Sequence, residues 1–171
     1  VTILKPSSST SLSVLELMKL IQNVVPKGVI NLITGKGSKS GEFLQHNTGL
    51  DKLAFTGSTE VGREIGLSAA QMIIPSTLEL GGKSANVFFK DADMKVALEG
   101  IQLGILFNQG QVCSAGSRIF VEESFYDEFM AHVIPAFQKV KVGNPLDMNT
   151  QMGAQVDERQ LKKILSYVEI G

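Results

Sequence analysis

At 171 residues the chain is long enough for one ordinary domain or for parts of two. It is 43% hydrophobic and 19% charged with a formal net charge of -1, the composition of a soluble globular protein. No basic stretch is available to neutralise phosphates and no apolar run approaches about 18 residues, so neither nucleic acid nor a membrane is an expected partner.

The chain opens Val1-Thr-Ile-Leu, with neither a methionine nor the basic and small-residue features of a signal peptide. One cysteine excludes an internal disulfide, and with His46 and His132 far apart no metal site is expected. A reducing, cytoplasmic setting is the expectation.

Short β-rich runs alternate with amphipathic helical patterns, which predicts α/β architecture with parallel strands. Residues 1–4 read as a strand ending at Lys5-Pro6. Ser13-x-x-Glu16 has the pattern of a capping box, and Leu17, Met18, Ile21 and Val25 follow at helical spacing. Gly28 is expected to close that helix and 29–33 to form the next strand. Such a β-α-β crossover puts ligand sites beyond the carboxyl ends of its strands. A second unit runs from 52–55 through a helix over 60–70 to a strand at 77–80. After Gly81-Gly82 come a strand at 86–89 and a helix capped by Asp93, its apolar face including Val96, Ile101, Ile105 and Phe107. A strand at 119–121, a helix capped by Ser124 and a last helix over 158–168 complete the pattern. Gly81-Gly82, two flexible residues between strands, is the expected domain hinge.

Three local arrangements carry chemistry. In Phe55-Thr-Gly-Ser-Thr-Glu-Val-Gly62 a strand turns through glycine and hydroxyl residues into a helix. Backbone N–H groups at such a start point at an anion, Gly57 allows close approach, and Ser58 or Thr59 can donate to a phosphate oxygen. An ordinary capped helix explains the same residues. In Leu78-Glu-Leu-Gly-Gly-Lys83 a carboxylate stands between two leucines at a strand end. Desolvation there would suit Glu79 to general-base work; a pairing with Lys83 or Arg63 is the structural alternative. In Asn108-Gln-Gly-Gln-Val-Cys-Ser-Ala-Gly-Ser-Arg118 the only cysteine lies in a loop of small and amide residues. Small neighbours give a substrate carbon access to sulfur, and loop amides can support an oxyanion. A buried, inert cysteine is the alternative for Cys113.

Taken together and in this order, FTGSTEVG, LELGGK and GQVCSAGSR resemble the signature of the aldehyde dehydrogenase superfamily. The likeness extends to Leu4-Lys-Pro-Ser7, Gly28-Val-Ile-Asn31, Asp91-Ala-Asp93 and Val142-Gly-Asn-Pro145. It implies a Rossmann-like parallel-sheet half of a cofactor domain over 1–82, then the first half of an α/β catalytic domain over 83–171, with the active cleft between them. It further implies oxidation of an aldehyde to a carboxylic acid with NAD or NADP, in a homo-oligomer (dimer or tetramer) when full length. Cys113 would be the nucleophile and Glu79 the base that activates water against the thioester. The Cys113 N–H would be one oxyanion donor. Lys5 matches a lysine that bonds the adenosine ribose, Gly37 a loop near the adenine, Ser58 with Gly57 the pyrophosphate turn, and Gly82 a segment near the nicotinamide.

Two departures from the family pattern stand out. Ser8 occupies a position where many NAD-preferring members carry a glutamate, which removes a carboxylate that would repel a 2'-phosphate. Family members also run to several hundred residues, and this chain resembles only a central third of them, so the implied activity is that of the full-length protein. A non-catalytic remnant and an acylating relative that does not resolve its thioester with water are the rival readings.

Overall fold

Each of the three strand–helix–strand repeats forms a parallel strand pair in the computed structural model, which describes residues 1–171. The chain divides into two units, Val1–Leu80 and Gly81–Gly171.

In the first unit β1 (Thr2–Leu4) pairs with β2 (Ile30–Leu32), with Thr2 opposite Ile30 and Leu4 opposite Leu32. Their crossover is α1 (Ser11–Ile21), and here the expected capping box is not made. Thr10 is the N-cap and its side chain caps nothing. Ser13 is already inside the helix, where its hydroxyl donates to Thr10 O at 3.0 Å, and Glu16 pairs with Lys19 at 2.6 Å. The helix stops at Ile21, so Val25 lies beyond it, and Gly28 (φ +80°) serves the turn into β2 rather than the helix end. Periodicity gave no sign of the π-helical turn Gly37–Gly41 and the one-turn α2 (Glu42–Gln45), which are too short to show it.

The pair β3 (Leu53–Thr56) and β4 (Ser76–Glu79) is bridged by α3 (Thr59–Met72). Leu53, Ile65 and Ala69 form the buried core here, with Phe55 and Leu78 packed on it. A Cβ at Gly62 would overlap the end of the Leu80 side chain, so α3 lies close to the segment after β4 here and a larger residue would have to turn Leu80 aside.

In the second unit β5 (Ala85–Phe88) pairs with β6 (Arg118–Val121) across α4 (Met94–Leu106). Asp93 caps α4 as expected, accepting from Val96 N at 3.0 Å. The buried line of α4 is Ala97 and Ile101, which meets Phe125, Phe129 and Val133 at the start of and along α5 (Tyr126–Gln138). Val96 and Phe107, expected on the apolar face, are 66% and 65% exposed. Val96 is one residue, about 100° of helix, away from the Ala97–Ile101 stripe. Phe129 is fully buried, with the Phe88 and Phe125 rings 4.7 and 5.8 Å from its own.

Ser124 does not cap α5. A 3-10 turn, Glu123–Phe125, precedes the helix, and the Ser124 hydroxyl donates to Glu122 instead. Glu122 also accepts from the Lys90 N–H at 3.0 Å, and these two donors hold its carboxyl below the usual carboxylate range. The last helix is α6 (Glu158–Ile170), capped by Asp157 through Gln160 N at 2.7 Å.

This packing predicts that Phe129→Ala lowers stability by roughly 3–5 kcal/mol, the cost of a buried aromatic cavity, while Val96→Ala costs less than about 1 kcal/mol. Urea titration of the two variants checks it; equal losses would contradict the core assignment.

Candidate active site

In the first unit the polar features gather at the carboxyl ends of the two ladders. Where β1 ends, Lys5 Nζ donates to Pro6 O at 2.9 Å and Gly35 O at 3.2 Å, and Gly41 lies beside its methylenes. An ammonium has three donors, so one is left over. Ser8 follows in an exposed turn; its carbonyl accepts from Ser11 Oγ at 3.1 Å and its hydroxyl makes no bond. Gly37 begins the π-helical turn with open space where a Cβ would stand.

At the end of β3, Gly57 N donates to Glu79 O at 3.0 Å, so two of the three motifs are joined by the parallel ladder, Thr56 opposite Glu79. Ser58 caps α3 by accepting from Val61 N at 3.3 Å. The N–H groups of Thr59 and Glu60 make no bond to the chain and stay at the positive end of the helix. A Cβ on Gly57 would overlap the Phe55 ring, so the turn is bare backbone at this point.

The Glu79 side chain is exposed, not desolvated as its leucine neighbours suggested. Alternate strand residues point to opposite faces. Leu78 and Leu80 both lie against α3, beside Gly66 and Gly62, which leaves Glu79 facing the other way. Its carboxylate makes no ion pair; Lys83 donates to Gly82 O at 3.0 Å instead, and the only ion pairs in the chain are Glu16–Lys19 and Glu158–Lys162.

In the second unit Cys113 is exposed, in a turn closed by Ala115 N to Val112 O at 3.1 Å. Cys113 is therefore not the buried cysteine of the alternative reading. The N–H groups of Val112, Cys113 and Ser114 make no bond within the chain. A Cβ on Gly82 would stand 3.2 Å from Cys113 O, so the end of LELGGK lies directly against the cysteine turn. Arg118 makes that juxtaposition by donating through Nε to Lys83 O at 2.8 Å and through its backbone N–H to Ser84 O at 3.2 Å. Asn86 Nδ2 donates to Gly116 O at 3.2 Å, and Gly116 N to Gly104 O at 2.9 Å. Asn86 escaped the sequence reading; an amide among the apolar residues of Ala85-Asn-Val-Phe-Phe89 was the available signal. Immediately before the turn, Asn108 (φ 49°), Gln109 (φ 57°) and Gly110 (φ 73°) are all left-handed. Two non-glycine residues in that region cost about 1 kcal/mol or more each and persist only where surrounding contacts impose them.

An unpaired thiol beside free backbone N–H groups is an arrangement for attack on a carbonyl carbon. The aldehyde dehydrogenase family pattern matches residues 1–171. The chain belongs to the aldehyde dehydrogenase family. An aldehyde dehydrogenase of Vibrio cholerae serotype O1 is 48% identical over 175 aligned positions, covering 99% of this chain and 34% of that protein. Among solved structures, a Staphylococcus aureus betaine aldehyde dehydrogenase in complex with NAD+ is 40% identical with a TM-score of 0.93, covering 98% of this chain and 33% of that one. An NAD-dependent aldehyde dehydrogenase from Sinorhizobium meliloti is 39% identical with a TM-score of 0.94 over the same shares. The chain thus spans about a third of the length of the relatives it matches. The mixed helix and parallel-strand fold expected from the sequence is the fold of these relatives.

Proposed function

We propose that this chain carries the catalytic thiol of an NAD(P)-dependent enzyme that oxidises an aldehyde to a carboxylic acid. The exposed Cys113, with its own N–H unpartnered, in a chain of this family is the observation that carries the reading. Residues 1–82 are the cofactor-binding part and 83–171 the catalytic part. Cytoplasmic location and a dimer or tetramer accompany the reading, on the family likeness and the single cysteine.

The residues present fit a dinucleotide. Lys5 has a spare ammonium donor for ribose hydroxyls, and the free N–H groups of Thr59 and Glu60 behind Gly57 and Ser58 suit a pyrophosphate. Gly37 leaves open space toward an adenine, and Gly82, against the Cys113 carbonyl, stands where a nicotinamide would have to reach the cysteine turn. When bound, the nicotinamide supplies the hydride acceptor.

The Cys113 thiolate attacks the aldehyde carbon, forming a C–S bond and a tetrahedral oxyanion that its N–H stabilises. Loss of hydride from that carbon leaves a thioester on Cys113. Glu79 takes a proton from water, the hydroxide attacks the thioester, and the acid leaves as the C–S bond breaks and expels the Cys113 thiolate, after which Glu79 releases its proton to solvent. A free, exposed Glu79 carboxylate favours this ending over transfer to another acceptor.

In the full-length enzyme, replacing Cys113 by alanine should cut turnover by at least about a hundredfold with cofactor binding intact, since a covalent nucleophile is lost. With Glu79→Gln, rapid mixing should give a burst of NADH followed by slow turnover, because an amide cannot accept water's proton. Normal steady turnover in Glu79→Gln would make that residue structural.

Cofactor choice rests on Ser8. A carboxylate a few Å from a 2'-phosphate costs about 1 kcal/mol in water and several times that when partly buried, or roughly tenfold and more in affinity. The enzyme should therefore accept both cofactors, and Ser8→Glu should weaken NADP much more than NAD. Side-by-side titrations decide it; equal losses would remove Ser8, and Lys5 with it, from the ribose.

A further inference from the structure

The cysteine turn is fastened to a segment more than forty residues later. Gln155 Nε2 donates to Gln109 O at 3.3 Å, and Val156 N donates to Gln111 Oε1 at 3.2 Å. Gln111 Nε2 in turn reaches Gln109 Oε1 at 3.3 Å, and Asn108 Nδ2 reaches Gln111 O at 3.2 Å. These bonds converge on the left-handed residues Asn108, Gln109 and Gly110, which lead directly into Cys113.

Gln155 Oε1 is buried and has no partner. Turning the amide over would set that oxygen against the Gln109 carbonyl, acceptor against acceptor, so the orientation is fixed by the donor bond. A side chain held at the expense of an unpaired buried acceptor marks a contact that something else requires. What requires it is the backbone of Gln109: a glutamine in the left-handed region relaxes unless contacts impose the conformation. Relaxation there would re-aim the next four residues, including the Cys113 thiol and its free N–H.

We propose that Gln155, acting with Gln111, is a positioning residue that locks the strained 108–110 turn and so sets the attack geometry of Cys113. This rests on the reading of Cys113 as the nucleophile, but the lock itself can be measured without turnover. In Gln155→Met, of similar length but unable to donate, amide hydrogen exchange in the peptide spanning residues 108–116 should speed up at least about tenfold. Exchange in α3 should not change. In the NAD(P)-dependent enzyme, the single-turnover rate constant for aldehyde oxidation, which does not depend on the fraction folded, should fall at least about tenfold. The cofactor dissociation constant should stay within about twofold of wild type.

Gln111→Met, which removes two bonds of the same network, should repeat the pattern and covers the case in which the Gln155 variant does not fold. Native exchange across 108–116 in a folded variant overturns the lock. Faster exchange with an unchanged single-turnover rate also overturns the positioning role. If Cys113→Ala retains turnover, the nucleophile reading fails while the exchange result stands on its own.

Discussion

A parallel strand pair cannot be closed by a tight turn; it needs a crossover that carries the chain back along the sheet. That constraint organises the second unit. Between β5 and β6 the chain must run out through α4 and return, and the return is the cysteine loop. The return ends in register, Ala85 opposite Arg118, with Arg118 bonded twice to the residues just ahead of β5. Gly82 is thereby held at the Cys113 carbonyl, although the two lie 31 positions apart in the chain. The ladder of β3 and β4 does the same for FTGSTEVG and LELGGK through Gly57 and Glu79.

What could be read in the sequence was mostly what a ladder or a cap fixes locally. The strands at 53–56, 76–79, 85–88 and 118–121 fall within a residue or two of their expected places, because each is a short β-rich run between turn residues. Asp93 caps α4 because a carboxylate three residues ahead of a free N–H needs no tertiary help. Ser13 and Ser124 failed as caps because the helix start is set by what precedes it: a turn at Ser8–Thr10 in one case, a 3-10 turn in the other.

Contacts distant in sequence were not legible. Gln155 to Gln109, Asn86 to Gly116 and the packing of Gly62 on Leu80 depend on which elements become neighbours, which local periodicity does not encode. The misreading of Glu79 has a different cause. Flanking leucines were read as an apolar shell, but on a strand they mark the opposite face, and their packing against α3 leaves the carboxylate exposed on the other. A carboxylate so placed stays accessible to water.

The central claim is that Cys113 forms the carbon–sulfur bond. Its most direct measurement is peptide mass spectrometry on enzyme quenched within milliseconds of mixing with aldehyde and NAD(P)+. The account predicts an acyl mass increment on the peptide containing Cys113, appearing with the first turnover and absent without cofactor. An unmodified Cys113 peptide during active turnover, or an acyl group on any other residue, would contradict it.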